Sequence, residues 1–265
     1  MDCLASRFLL HVRFASGATK LIASTAHGTT AREGPLREDS YFHGEVFDAR
    51  REQRGWSEPE FNATAGWWPA RKMEPNVSST MSSALLQPIR KAERYEPVSV
   101  KRGPLGVLLF DFGVNHAGFC VLKLPSCAKG TPIQLRHAET TTAEGELFNQ
   151  FTDCAWQDGR PLGSQCAMQQ DTYICSGAEG GEVYEPVATY HGHRFVEMRG
   201  WGHAGPIPSD LLTSFLVHTD VAEISTIRFD SFDPAARNIL NDINAITLNS
   251  QKSNYHSVPT DCPTR

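Results

Sequence analysis

Short runs that alternate apolar and polar residues fill the middle of the chain and predict β-strands. Each run is bounded by Gly, Pro or Asp, the residues that commonly form turns between strands. From about residue 85 onward these runs are GVLLFDFG, GFCVLKL, PIQLRHAE, DTYICSG, VYEPVATY, HRFVEMRG, LTSFLVHT and AEISTIRF. No convincing helix lies among them, so the pattern predicts an all-β fold, an antiparallel β-sandwich of jelly-roll type.

The hydrophobic period changes near residue 232 and predicts a single α-helix. Asp233 stands where an N-cap is expected and Pro234 at the first helical position. One face of this helix is predicted to carry an apolar stripe at three- and four-residue steps, formed by Ala236, Ile239, Leu240, Ile243 and Ile246. An apolar stripe favours burial, so we expect association through this helix if nothing covers it.

The first part of the chain carries weaker strand signals. LLHVRF followed by ASG predicts a strand and a turn, and SYFHGEVFDARRE alternates as a half-buried strand does. EPNVSSTMSSA is rich in Ser and poor in apolar residues, which is typical of a linker or loop. The sequence therefore predicts three segments, namely a partial β-domain with its linker at 1–84, a β-sandwich at 85–230 and a helix with its following loop at 231–265.

Composition narrows the function classes. The chain has 265 residues, a net charge of −5 and a pI near 6.1, so neither nucleic acid nor an anionic membrane is expected as a partner. The apolar runs are too short for a transmembrane segment, and His11 and Arg13 interrupt the N-terminal run, so no signal peptide is predicted. The seven cysteines include no C-x-x-C pair, which argues against a zinc ribbon and a dense disulfide framework.

Few side chains could carry chemistry. His191 and His193 are two residues apart, so on a strand both would point to one face, either as part of a metal site or as a polar strand pair. No third ligand follows at the usual spacing, and no metal or cofactor is predicted. Glu144 and Glu146 form a carboxylate pair, but they lie in a turn-like stretch that favours a solvated loop.

The C-terminal residues PTDCPTR offer a different candidate. Asp261 lies between Pro259 and Pro263, and Arg265 follows four residues later. Proline restricts the backbone and so fixes the direction of the carboxylate. The pair could bind the hydroxyl groups of a small polar ligand, or it could form a salt bridge in a rigid tail. The residues alone leave both interpretations open.

Six short segments, in order, resemble the bacterial-type α-L-rhamnosidases of glycoside hydrolase family 78. They are GEVFDARRE with RGW, PIRKAE, FDFGVNHAGF, LRHAET with EGEL, DTYICSG with EGGEVYEPVATYHGHRFVEMRG, and SNYHSVPTDCPTR. The resemblance implies β-sandwich domains ahead of an (α/α)6 six-hairpin catalytic barrel that begins with the predicted helix. It also implies inverting hydrolysis of terminal non-reducing α-L-rhamnose from glycosides or polysaccharides, with no redox cofactor.

The resemblance also assigns site residues. Asp261 and Arg265 match the family's rhamnose-contacting positions, whereas the family's general acid glutamate follows DCPTR and its base glutamate comes much later. Neither glutamate is among these residues, so no catalytic residue is assigned here. Inverting hydrolysis needs two carboxyl groups roughly 6.5–9.5 Å apart, and we therefore expect this polypeptide alone to be inactive. The alternative is a non-catalytic carbohydrate-binding or scaffold β-sandwich protein.

Two positions depart from the family pattern. His193 stands where the family usually carries an aromatic residue, and Ala188 stands where it carries Phe or Leu. Both changes are expected to alter packing without touching the substrate site.

Overall fold

The structure is a computed structural model that describes residues 6–41, 43–63, 65–73, 83–148, 156–157, 160–161 and 168–260. In chain order its strands are β1 (Leu9–Arg13), β2 (Thr19–Ala23), β3 (Thr30–Ala31), β4 (Leu36–Ser40), β5 (Gly44–Asp48), β6 (Trp68–Pro69), β7 (Ile89–Tyr95), β8 (Ser99–Arg102), β9 (Leu108–Leu124), β10 (Pro132–Ala138), β11 (Thr140–Thr141), β12 (Leu147–Phe148), β13 (Trp156–Gln157), β14 (Arg160–Pro161), β15 (Gln170–Ile174), β16 (Glu182–Tyr184), β17 (His191–Arg199), β18 (Leu212–Thr219), β19 (Tyr255–His256) and β20 (Val258–Pro259). One α-helix, α1 (Pro234–Ser253), and 3-10 turns at Ala49–Arg51 and Pro104–Gly106 complete the described elements.

The chain divides into two compact units. The first comprises Met1–Gly34 and Arg51–Ser83. Its β1 and β2 form an antiparallel hairpin, which confirms the strand and turn predicted from LLHVRF and ASG. The turn is closed by Gly17, whose φ of 86° suits glycine better than any other residue. A second antiparallel pair joins β3 to β6.

The second unit comprises Pro35–Arg50 and Ala84–Arg265 and is built on a ten-stranded sheet. Its strands follow the order β4-β5-β15-β10-β17-β9-β18-β7, and β8 and β16 add to β9. All neighbours pair antiparallel except β5 and β15, which are parallel. The predicted all-β fold, an antiparallel β-sandwich followed by one helix, is confirmed. The segment 35–50 contributes β4 and β5 to this sheet, and the domain boundaries at 84 and 230 stay a prediction.

One long strand replaces two of the predicted short ones. GVLLFDFG and GFCVLKL belong to the 17-residue β9, which continues through Gly113 at a φ of 76°. Different parts of β9 have different partners, because β8 and β17 pair with its first half and β16 and β18 with its second. β17 pairs with β9 at residues 108–111 and again at 116–118, and the register shift between these stretches is a β-bulge where the glycine pattern indicated a break.

The apolar core lies inside this second unit. Alternate residues of the central strands point inward, and many of them are completely buried, including Leu108, Leu122, Ile133, Leu135 and Val196. Burial of each such side chain contributes about 1.5–3 kcal/mol. A disulfide joins Cys127 to Cys175 beside this core, across a sequence separation of 48 residues.

Helix α1 begins where the sequence predicts. The side chain of Asp233 accepts a hydrogen bond of 2.9 Å from the backbone N–H of Ala235, which is the expected N-cap. The preceding run AEISTIRF, predicted as a strand, is not one. The side chain of Asn241 binds both the N–H and the C=O of Phe229, so the helix takes the backbone groups that a sheet would need.

The apolar stripe of α1 is exposed, as the amphipathic pattern implies. Ile239 is 58% exposed, Ile243 54% and Ile246 65%. The last turns contact the sandwich through polar groups instead. Lys252 bridges Glu93 and Glu223 at 3.0 and 2.9 Å. In the part of the chain that the structure describes, no helix is both long and apolar enough to cross a membrane.

Candidate functional site

The predicted ligand-contacting residues Asp261 and Arg265 lie outside the described residues. The segment that leads to them is well held. β19 and β20 form a tight antiparallel turn in which Ser257 has a φ of 66°. The backbone N–H of Ser257 donates to Thr219 Oγ1 at 2.6 Å, and that of Thr260 donates to the carbonyl of Asn254 at 2.7 Å.

An aromatic contact fixes the same segment to the sandwich. The rings of His256 and Tyr190 stack with centroids 4.0 Å apart and planes 13° apart. His256 is 8% exposed, and its burial lowers the pKa of the imidazole to about 4. The ring is therefore neutral near pH 7 and packs as an apolar group. The sandwich thus determines where the chain stands when it reaches residue 260.

A buried carboxylate organises the loop that carries Tyr190. Glu45 accepts hydrogen bonds from Tyr184 Oη at 2.9 Å and from the backbone N–H groups of Val187 and Ala188, both at 3.0 Å. Burial raises the pKa of Glu45, although these three donors act against that shift. Because Val187 and Ala188 donate to Glu45, the predicted strand VYEPVATY ends at Tyr184.

Glu182 has a similar structural role in the preceding turn. It accepts hydrogen bonds from Tyr173 Oη and from the N–H of Ser176, both at 2.7 Å, and from the N–H of Gly177 at 2.9 Å. Desolvation raises its pKa, but the hydrogen bonds outweigh this effect and the net shift is downward. This carboxylate therefore stays charged and closes the turn.

A row of polar side chains crosses the interior of the sheet, one strand after another. Asp171 on β15 is 1% exposed and accepts a 3.0 Å hydrogen bond from His191 Nε2 on β17. His137 on β10 stacks on His191 with ring centroids 4.2 Å apart. The Nδ1 of His137 donates to the carbonyl of Gln169 at 3.1 Å. The two imidazole rings are thus stacked inside the protein, and Asp171 is hydrogen-bonded to one of them.

The row continues on β17, β9 and β18. His193 is completely buried, and its Nε2 lies 2.8 Å from Ser214 Oγ and 3.6 Å from Cys120 Sγ. His116 contacts the same serine, with its Nε2 2.7 Å from Ser214 Oγ, and its ring centroid lies 4.6 Å from that of His193. A buried serine therefore lies between two imidazoles, beside a free cysteine.

Burial controls the charge of this row. It lowers the pKa of His137 to about 3 and lowers the pKa values of His116 and His193 as well. It also raises the pKa of the Cys120 thiol. Desolvation raises the pKa of Asp171, but the interactions with His191, His137 and the backbone N–H of Glu45 together outweigh it, and the net shift is downward. Near neutral pH these three imidazoles are neutral, Cys120 is a thiol and Asp171 is a carboxylate.

The structure tests the other residues that the sequence singled out. His191 and His193 point to the same face of β17, as the two-residue spacing predicts, and the structure shows that this face is buried. Their polar neighbours come from other strands, so sequence spacing could not reveal them. His137 follows Ile133 and Leu135 at period two, and this is the signal that would have placed it inside. Glu144 and Glu146 are exposed in the turn, which confirms the solvated loop.

Two family profiles match the chain. The profile described as the α-L-rhamnosidase N-terminal domain matches residues 2–93. The profile of the bacterial α-L-rhamnosidase concanavalin-like domain matches residues 101–218. The chain belongs to the α-L-rhamnosidase family. The buried histidine row lies within the residues that match the concanavalin-like domain.

Individual α-L-rhamnosidases give the same result. The chain is 30% identical to an α-L-rhamnosidase of Streptomyces avermitilis over 256 residues, which are 97% of this chain and 22% of that protein. It aligns with the structure of α-L-rhamnosidase from Dictyoglumus thermophilum with a TM-score of 0.81 and 31% identity, over 96% of this chain and 26% of that one. It aligns with the S. avermitilis α-L-rhamnosidase structure complexed with L-rhamnose with a TM-score of 0.80 and 30% identity, over 97% of this chain and 23% of that one. The chain thus spans about a quarter of the length of these relatives.

Proposed function

We propose that this chain is the β-domain region of an inverting α-L-rhamnosidase that releases terminal non-reducing α-L-rhamnose from glycosides or polysaccharides. The supporting observation is that two successive domain profiles of that family match the chain in order, at 2–93 and 101–218. The alignment with an α-L-rhamnosidase solved with L-rhamnose supports the same substrate class. The activity is proposed for a whole enzyme, since this region covers about a quarter of its relatives.

In this proposal the sandwich positions the residues that bind the sugar. Asp261 and Arg265 would contact rhamnose hydroxyl groups, with a carboxylate accepting hydrogen bonds and a guanidinium donating them. The stack of His256 on Tyr190 and the bond from Ser257 to Thr219 hold the chain up to residue 260. The first helix of the catalytic barrel would then be α1, with its exposed stripe facing the rest of that barrel.

The residues 1–265 by themselves are not proposed to hydrolyse glycosides. Inverting hydrolysis requires a general acid and a general base on opposite faces of the sugar. The buried carboxylates of Glu45 and Asp171 are closed off by hydrogen bonds inside the sandwich and cannot reach a substrate. In this proposal the catalytic pair comes from the barrel domain.

The test combines an activity assay with a binding measurement. The purified chain is incubated with an aryl α-L-rhamnopyranoside and titrated with L-rhamnose by calorimetry. No release of the aryl group is expected, and measurable release by a homogeneous preparation would overturn the proposal. Millimolar or tighter binding of L-rhamnose without hydrolysis would favour the carbohydrate-binding alternative.

A second measurement addresses the whole enzyme. Sequencing the transcript past codon 265 is expected to show an in-frame glutamate followed by RLGW. In that longer protein Asp261→Asn should raise KM for the rhamnoside, whereas Asp230→Asn, an exposed aspartate ahead of α1, should leave it unchanged. Equal KM values for both variants would remove Asp261 from the sugar site.

A further inference from the structure

Three metal-ligating side chains from three different strands converge inside the sandwich. Cys120 on β9, His137 on β10 and His193 on β17 are all buried, and one ligand atom of each lies within 4.8 Å of the others. We propose that they form a binding site for a divalent transition metal ion. One thiolate and two imidazoles in this arrangement are the donor set that zinc prefers, with a fourth position left for a further donor.

The two histidines are held as metal ligands usually are. Each donates its Nδ1 proton to a backbone carbonyl, His193 to that of His191 and His137 to that of Gln169, both at 3.1 Å. Such bonds fix the tautomer and make Nε2 the ring nitrogen that can bind a metal. His193 Nε2 is 3.6 Å from Cys120 Sγ. Two ligands of one tetrahedral zinc, with bonds of about 2.3 and 2.0 Å, are separated by roughly the same distance.

The hydrogen bonds around Ser214 are compatible with a cation at this place. Both His116 and His193 use Nδ1 as a donor to a carbonyl, so in the neutral state both Nε2 atoms are acceptors. Ser214 lies between them at 2.7 and 2.8 Å but has a single hydroxyl proton. The Ser214 proton can serve only one of them, and without a metal the Cys120 thiol, 3.6 Å away, can donate to His193 Nε2. A bound metal ion would take the place of that thiol proton between Cys120 Sγ and His193 Nε2 and leave the Ser214 proton for His116.

The charges also balance. Binding of the ion replaces the Cys120 thiol proton with a metal–sulfur bond, and that proton leaves to solvent. The divalent cation and the thiolate then have a net charge of +1, and the neighbouring carboxylate of Asp171 supplies −1. The Asp171 carboxylate is buried, and its Oδ2 accepts no hydrogen bond within the described residues. His191 Nε2 and the backbone N–H of Glu45 already donate to Asp171 Oδ1, and a cation at the cysteine side would add to this compensation of a buried charge.

A second set of donors, His137, Asp171 and His191, also lies within 4.8 Å. Its geometry is already closed, since His191 Nε2 donates to Asp171 Oδ1 at 3.0 Å. We therefore assign the ion to Cys120, His137 and His193. Asp171 is then the charged neighbour of the site, and the ring of His191 stacks on that of His137.

Because the site is buried, the ion must enter while the chain folds. The chain is unfolded under reducing conditions, refolded with excess Co²⁺ or Zn²⁺ under mild reoxidation, and freed of loose metal on a chelating column. We expect about one ion per chain and a thiolate-to-cobalt charge-transfer band in the near ultraviolet. Zinc should also raise the urea midpoint of refolded protein relative to protein refolded with chelator.

Variants on two strands decide the assignment. Cys120→Ala should abolish the charge-transfer band, and His193→Phe should reduce bound metal to less than about a tenth of an ion per chain. His203→Phe, which alters an exposed histidine, is the matched control and should bind like the parent. The proposal is wrong if the parent chain retains no metal after refolding, or if both cluster variants retain as much metal as the control. Circular dichroism of each variant checks that the sheet has formed.

Discussion

His256 and Tyr190 lie face to face, with ring centroids 4.0 Å apart, and join the segment before Asp261 to the sandwich. Stacked aromatic pairs contribute about 0.5–1.5 kcal/mol beyond the area they bury. Tyr190→Ala should therefore speed amide hydrogen exchange of residues 255–260 by roughly 2- to 10-fold. Tyr41→Ala is the control, because Tyr41 is 66% exposed and meets Tyr190 only edge-on. Equal exchange in both variants would show that the stack does not hold the segment.

Acid should destabilise the fold before its carboxylates titrate. Unfolded histidines take up protons near pH 6.5, whereas His137 in the folded chain does so only at about 3 and His256 at about 4. The unfolded state therefore binds more protons in this window, and stability falls as the pH decreases through it. Each of these two histidines should contribute roughly 2.5 kcal/mol, so we expect a loss of about 5 kcal/mol between pH 7 and 4.5, measured by urea unfolding.

A variant without one buried histidine tests whether these imidazoles cause the pH dependence of stability. His193→Phe removes one buried imidazole and should flatten the pH dependence, while His203→Phe should not. A free energy of unfolding that stays constant from pH 7 to 4.5 would mean that the buried histidines take up protons over the same pH range in the folded chain as in the unfolded chain.

The exposed stripe of α1 predicts self-association. Ile243 is 54% exposed, so Ile243→Lys should change the free energy of unfolding by less than about 0.5 kcal/mol and raise the monomer fraction in sedimentation experiments. Ala245→Lys, on the same helix but outside the stripe, adds the same charge and should have the smaller effect. If Ile243→Lys leaves solubility and monomer fraction unchanged, the stripe does not drive association.

The disulfide should contribute substantially to stability. Cys127 and Cys175 close a loop with a sequence separation of 48, for which chain-entropy estimates give about 4 kcal/mol. Replacing both by Ser should lower the urea midpoint, and adding a reductant should lower the midpoint of the parent chain to a similar value. The reductant should not affect the double variant. Equal midpoints for parent and double variant would show that the loop is held by packing alone.

Local patterns were sufficient where neighbours in sequence decide the structure. The N-cap at Asp233, the β1–β2 hairpin and the shared face of His191 and His193 all follow from period and turn chemistry. The resemblance carried by motifs such as DTYICSG and FDFGVNHAGF was likewise readable, because those residues are contiguous. Patterns failed where a distant group competes for the backbone, as Asn241 does at Phe229 and Glu45 does at Val187 and Ala188.

The sequence by itself determined the class of fold and the family, since both depend on the order of short segments. Only the tertiary structure decided which polar groups meet. Cys120, His137 and His193 are separated along the chain, and pairing of β9 and β10 on either side of β17 brings them together. That pairing is set by long-range packing of the whole sheet, which no local period encodes.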